Sequence, residues 1–483
     1  MKKIITALLA AVMLFSLVAC ATESTQKKPQ KEVESQEGKL WDKKEYDFDG
    51  ETFVIIGKAV TGSIDGWTGD DLDCEEMTGN EVLDSVYSRN QLIEQTYNCD
   101  IQLVESADLK STLMAGSEED GHMVVNTIKA IFGLVEDKLL LDLNDSSFTN
   151  LNLDRDWYSQ TIQRDTSIAG TLYFVNGDML FTDENAMWVT YFNKDMASRY
   201  LGDVNIYDLV RSGKWTVDEF MRYAALATAE VLADDKMDYH DQWGYVGEAP
   251  NVAAFVAGGG YLYASITADG GVQSNVYTPE FQEAFKKCYL TVDKSFALLA
   301  SDIVGTASGF TTRGEIFQEG RALFLTCGMS HAIKMREVDT DFGIIPNPKL
   351  TEEQTEYYTW TTYNTHVVAV PYTCTDPERT SAIMEALFEE SAYGLRPAYI
   401  DKALKYQTTR DDDSIEMLDI IINSTVYDIG VVYDFGGVYT QLNNIVKTRT
   451  IGSMSSTLTK AKPMVTQNIN DLLTNLGYKG ATA

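Results

Sequence analysis

Two spacings of apolar residues alternate along this chain, and together they predict an α/β protein. Phe53-Val54-Ile55-Ile56-Gly57 is a short continuous apolar run of the kind that fills a buried strand. A Gly- and acid-rich loop follows. Asn80 then stands where it can cap a helix, and Val82, Leu83, Val86, Tyr87, Ile93 and Tyr97 recur behind it at helical spacing. Ile101 and Leu103 open the next strand and complete a β–α–β unit, whose loops at the carboxyl ends of strands are where α/β proteins bind ligands. Further helix starts follow from local chemistry. Thr216-Val217-Asp218-Glu219 has the layout of a capping box, in which Glu219 reaches back to the Thr216 amide. Thr278-Pro279 and Asp376-Pro377 each set proline at the first helical position after a capping residue. Phe281, Phe285 and Tyr289 line one face of the first of these helices; Ile383, Met384, Leu387 and Phe388 line the second. Strand-like runs at 322–325, 342–345 and 367–370 fall between helices, and hairpin signals are few.

The ends of the pattern carry different information. Lys2 and Lys3 precede an uncharged apolar run from Ile4 to Ala19, the layout of a secretory signal and too short to span a bilayer, which takes roughly 20 residues. Leu17-Val18-Ala19-Cys20 looks like a bacterial lipobox, in which cleavage precedes Cys20 and its sulfur receives a diacylglycerol. Residues 1–19 are therefore expected to be a signal peptide. Residues 20–45, rich in Lys, Glu, Gln and Ser, are expected to be a lipid-anchored flexible linker, because such a composition buries too little apolar surface to offset its ordering entropy.

Composition narrows the class. With 72 acids against 39 bases the net charge is −33, which excludes nucleic acid and an anionic membrane face as partners. A hydrophobic fraction of 44% indicates a well-filled globular protein, and its length calls for more than one core. Beyond Cys20 five widely spaced cysteines form no disulfide framework and no metal or redox motif; Cys74–Cys99 pairing stays open. Neither a cofactor nor a metal is expected. Gly258-Gly259-Gly260 lacks the Gly-Lys-Ser/Thr of a phosphate loop and reads as backbone in a tight approach after a helix. Asp411-Asp412-Asp413 reads as a solvated loop rather than a calcium site.

Five segments, in order, resemble the family 1 extracellular solute-binding proteins. They are Tyr191-Phe192-Asn193-Lys194-Asp195; Asn205 to Val210 running into Gly213 to Phe220; Glu319 to Phe324; Phe342 to Pro348; and His366 to Pro371 followed by the Asp376 helix. The resemblance covers most of the chain after about residue 46. It implies a two-lobe periplasmic-binding-protein type II fold, with lobe 1 formed by 46–186 and 366–398 and lobe 2 by 187–365 and 399–483. Three crossings, near 184–190, 363–370 and 395–405, would form a hinge. It also implies a monomer that captures a sugar or oligosaccharide between the lobes without altering it and delivers it to ABC permease transmembrane subunits. The protein would then sit on the extracellular face of the cell membrane, anchored through Cys20. Closure by hinge bending is the mechanism such an architecture supports.

Sugar sites pair flat aromatic rings with planar polar groups that each engage two hydroxyls. Asp65 and Trp67, in the loop after the first strand, fit that description, against the alternative of a solvated loop with Trp67 packed beneath it. Asp178 is a cleft acid or a turn acid after Asn176-Gly177. Glu184, Asn185 and Trp188 sit at the first crossing, where Trp188 either faces ligand or fills the hinge core. Gly328, Met329 and Ser330 occupy the turn where maltose-type proteins carry a stacking Trp, a departure that points away from maltodextrin itself; Met329 is retained as a contact. Trp360, Tyr363 and Asn364, before the second crossing, can replace that Trp, with Trp360 the leading ligand contact. Trp243 is assigned to the core. Lys and Arg are sparse in these segments, which favours a neutral solute. The competing readings are a peptide or other polar solute and, from a different class, a surface glycoside hydrolase with two carboxylates flanking the bond to be cut.

Overall fold

A computed structural model of the chain describes residues 46–57, 70–116, 121–232, 234–336, 338–406 and 411–480. Its strands, in chain order, are β1 (Glu51–Gly57), β2 (Cys99–Glu105), β3 (Met123–Thr127), β4 (Phe174–Val175), β5 (Trp188–Asn193), β6 (Trp243–Gly247) and β7 (Ala264–Ile266). They continue with β8 (Val272–Ser274), β9 (Ala297–Leu299), β10 (Ala322–Gly328), β11 (Phe342–Ile345), β12 (Thr359–Trp360), β13 (His366–Ala369) and β14 (Thr425–Val426).

Two five-stranded sheets organise them. The first has the order β2-β1-β3-β13-β4 and the second β11-β5-β10-β6-β9. In each, a late or early strand enters antiparallel among parallel neighbours. β13 lies between β3 and β4, antiparallel to both, and β5 lies antiparallel between β10 and β11. Each sheet thus takes a strand from the chain as it passes between them. The 2-stranded ladder β12-β14 and a bridge from Met187 to Thr361 tie the passing segments together.

The sequence explains the elements. β5 and β10 are buried at every position, as expected of strands covered on both faces. The helix Glu81–Tyr97 starts where the Asn80 carboxamide accepts the Val82 amide at 3.0 Å and ends at Asn98 in the left-handed region, with Val86, Ile93 and Tyr97 inside. Helices Pro279–Tyr289 and Pro377–Tyr393 begin at the expected prolines, capped by Thr278 and Asp376. The capping box at Thr216 is half made. Its hydroxyl accepts the Glu219 amide, but the Glu219 carboxylate turns to Arg222, a longer partner of opposite charge one turn on. Asp411 caps helix Asp412–Asn423, accepts the Tyr207 hydroxyl and pairs with Lys194, so the aspartate run begins a helix instead of forming a loop. Gly258 follows the expectation of close approach: a Cβ there would stand 3.1 Å from the Pro348 carbonyl.

Aromatic packing fills the second sheet's interior. Phe220 stacks on Phe324 at 4.9 Å and meets Tyr245, Phe255 and Trp215, whose indole N–H donates to the Pro346 carbonyl at 2.9 Å. Burying each such side chain contributes roughly 1.5–3 kcal/mol. Trp243 is likewise interior. Cys74 and Cys99 are both free thiols, as are Cys288, Cys327 and Cys374. Among the described residues no helix is long and apolar enough to cross a membrane. The signal, lipobox and linker expected at residues 1–45 lie outside the described residues.

Candidate functional site

The parallel strands of the two sheets deliver their carboxyl ends to the region where the passing segments meet. From the first sheet, β3 runs directly into helix Ile128–Glu136, capped by the Thr127 hydroxyl. Lys129 stands exposed on its first turn, its ammonium 5.1 Å from the centroid of the Tyr363 ring. Tyr363 in turn meets Tyr439 edge-on at 6.4 Å. Tyr439 lies close enough to Tyr363 and Glu248 that both add to burial in raising its phenol. Glu248 follows the last residue of β6 and pairs with the buried Arg313 at 2.8 Å. Lys129, Tyr363 and Tyr439 therefore reach from a strand end of the first sheet to within electrostatic range of Glu248 at a strand end of the second. Flat rings beside groups that bind hydroxyls are what a saccharide requires.

A denser polar cluster forms at the crossings. The Arg396 guanidinium donates through one nitrogen to Asp178 at 3.0 Å and to Glu184 at 2.9 Å. Burial still pushes the Asp178 carboxyl up to about 7, because the loss of hydration outweighs Arg396 and Glu184 adds repulsion. Asp183, wholly enclosed, accepts the Tyr427 hydroxyl at 2.5 Å and the Thr365 hydroxyl at 3.1 Å; burial and the adjacent Glu184 raise its pKa. The Tyr399 hydroxyl donates to Asn185 at 2.6 Å while its ring stacks on Phe181 at 4.7 Å. His366, at the start of β13, is buried and held neutral, its pKa lowered to about 3 by desolvation. All three crossing segments contribute to this cluster.

The sequence-predicted residues divide accordingly. Asp178, Glu184 and Asn185 come together in the polar cluster, engaged by Arg396 and Tyr399. Tyr363 and Asn364 are partly exposed beside Lys129 and Tyr439. Trp188 and Trp360 pack edge-to-face at 5.3 Å in the interior, Trp360 only 2% exposed because its ladder with β14 turns it inward. Met329 is also interior; its backbone carbonyl accepts the Tyr191 hydroxyl and its amide donates to Met187. In this conformation Trp360 and Met329 therefore fill the hinge core and present no face to a solute. Asp65 and Trp67 lie outside the described residues.

Sequence reasoning missed Lys129, Glu248, Arg313, Tyr439, Arg396 and Tyr427. Glu248 had a usable signal, since it directly follows an apolar run that ends in Gly247 before a helix. The sparsity of cations also needs revision: Arg396 and Arg313 both enter the region, each already paired with carboxylate.

This arrangement defines the two-lobe, type II periplasmic-binding fold with a hinge of three crossings. The solved structures to which the chain is similar bear this out. A cyclo/maltodextrin-binding protein complexed with maltotetraose aligns with a TM-score of 0.55 at 14% identity, over 89% of this chain and 97% of that one. The maltose/maltodextrin-binding domain of Bdellovibrio bacteriovorus bound to maltotriose aligns at 0.52 with 14% identity, over 87% and 100%. An ABC substrate-binding protein from Listeria monocytogenes in complex with cycloalternan aligns at 0.50 with 15% identity, over 89% and 100%. No protein-family model and no curated protein sequence matches the chain.

Proposed function

We propose that this protein is the extracellular substrate-binding component of an ABC importer, capturing an oligosaccharide between its lobes and releasing it unchanged to a membrane permease. The observation that carries this reading is the run of Lys129, Tyr363 and Tyr439, which starts at a strand end of the first sheet and comes within electrostatic range of Glu248 at a strand end of the second. The similarity to oligosaccharide-bound binding proteins over nearly nine-tenths of the chain supports it. Ligand contacts on this reading are Tyr363, Asn364, Lys129, Tyr439 and Glu248, joined by Asp65 and Trp67 from the first-strand loop. Residues 46–186 and 366–398 form one lobe, and 187–365 with 399–483 the other. The protein works as a monomer, held to the outer face of the membrane by a lipid on Cys20 after removal of residues 1–19.

A catalytic role for Asp178 and Glu184 is disfavoured by their partner: both carboxylates are engaged by the one Arg396 guanidinium. A thermal-shift screen over a library of neutral and charged oligosaccharides tests the binding reading. A glycan at 100 times its Kd stabilises the folded state by about 2.7 kcal/mol and raises Tm. A full library without a single hit refutes sugar binding, and release of new reducing ends refutes the non-enzymatic role. Cys20→Ala is expected to release the protein into the medium; retention in the membrane fraction contradicts the lipid anchor.

A further inference from the structure

The third crossing is not an ordinary helix. From Ala398 to Tyr406 the backbone is π-helical, with the i→i+5 form carried through nine residues. π-Helical winding is rare and occurs mostly as single-turn bulges, frequently at functional sites. Here it occupies the segment that connects helix Pro377–Tyr393, packed on the first lobe's Glu81–Tyr97 helix, to helix Asp412–Asn423, packed on β11 of the second.

The attachments of this segment are divided between the lobes. Just before it, Arg396 bridges Asp178 and Glu184. In its first turn Tyr399 bonds Asn185, and Lys402 pairs with Glu81 at 2.8 Å. All four acceptors precede β5 and so belong with the first sheet. Toward its far end, Lys405 pairs with Asp419 at 2.9 Å, and Leu404 joins Tyr399 and Ile400 in the apolar cluster that holds Val189, Phe342 and Leu418 of the second-sheet side. A cavity of about 410 Å³ lies between helices Glu81–Tyr97 and Pro377–Tyr393 and meets the segment at Lys402. The segment thus has a partner at each end.

A π-helix packs more residues into each turn than an α-helix, which rises 1.5 Å per residue. Converting the same residues to α-helical winding lengthens the segment and separates its ends. We propose that the third crossing is a strap, wound as a π-helix when the lobes are together and relaxing to α-helix as they part, with the Tyr399–Asn185 bond as the latch that holds the wound form. The latch adds stability to the closed state without touching solute, so it sets how far the ligand-free protein opens and hence the apparent affinity for any ligand. This rests on the two-lobe reading but not on the solute being a sugar.

Hydrogen exchange on the full chain without ligand, followed by mass spectrometry, tests the strap. Tyr399→Phe removes only the hydroxyl bond to Asn185. Losing one buried hydrogen bond of ordinary strength changes an opening equilibrium by about tenfold. The variant is expected to exchange about tenfold faster than the parent both at 398–406 and at 427–433, where Tyr427 bonds Asp183 and helix Ile429–Tyr433 packs on both helix Ile128–Glu136 and β7. Exchange in β1 and β10 should stay at the parent rate, which shows that the fold is intact. Faster exchange confined to 398–406, or none anywhere, overturns the proposal. Because no ligand is present, a negative result here leaves the saccharide reading standing.

Discussion

The interior of the second lobe and the hinge are equally buried but are held by different forces. Around Phe220 the contacts are ring on ring, with Trp215, Tyr245, Phe255 and Phe324 closing every side. Around Asp183 they are directed polar bonds from Tyr427, Thr365 and their neighbours, with Asp178, Glu184 and Arg396 alongside. Dispersion falls away within about an ångström as surfaces separate, so a close-packed apolar interior resists partial opening. Directed bonds break singly and can be exchanged for water at small net cost, on the order of 1 kcal/mol each. The rigid body is therefore built from the first kind of contact, while the joint adds the second kind around its Trp188–Trp360 pair.

The sharpest way to break that contrast is to truncate one large side chain in each region. Phe220→Ala is expected to cost about 3–5 kcal/mol in urea unfolding and to leave the affinity of the folded fraction unchanged. Trp360→Ala is expected to lose a similar amount, because its ring is interior, and the loss should also weaken binding through the hinge it supports. If Trp360→Ala kept full stability while abolishing binding, Trp360 would be a ligand contact and its burial a feature of this conformation alone.

A smaller effect separates the polar cluster from the core. Tyr427→Phe deprives Asp183 of its shortest hydrogen bond and is expected to cost about 1–3 kcal/mol in the same unfolding assay. Equal costs for Tyr427→Phe and for an aromatic-to-Ala change would erase the distinction.

The smallest expected effect is a slope against pH. Burial raises Asp178 and Asp428 to about 7 from an unfolded value near 3.8. The folded state then holds more protons than the unfolded one between those values, so stability increases as pH falls from above 7 toward 4. His366 works in the opposite sense below its ordinary value of 6.5, since its folded pKa is lowered to about 3. Between pH 8 and 7 the carboxyls outweigh His366 and the similarly lowered His122, and Tm should rise over that interval. Asp178→Asn is expected to flatten the rise; an unchanged slope would remove Asp178 as a source.

What could be read from sequence follows the same division. Helix starts at Thr278-Pro279, Asp376-Pro377 and Asn80 were legible because a cap and its helix are neighbours in the chain. Strands β1, β10, β11 and β13 were legible because burial leaves an apolar run. The partners of the hinge were not. Arg396 meets Glu184 across 212 residues and Tyr427 meets Asp183 across 244, and nothing in either local pattern marks them as a pair. Glu184 and Asn185 were found through their place at a crossing, but their partners required the fold. Trp360 looked like a ligand platform because a Trp beside Tyr363 and Asn364 suits a sugar, while the two-residue ladder that turns it inward has no periodicity to read.

Small-angle scattering with and without the tightest-binding glycan tests the central claim most directly. Closure of two hinged lobes around an unmodified solute predicts a smaller radius of gyration at saturation, reversed when the glycan is removed. Saturable binding with superimposable scattering curves would contradict it.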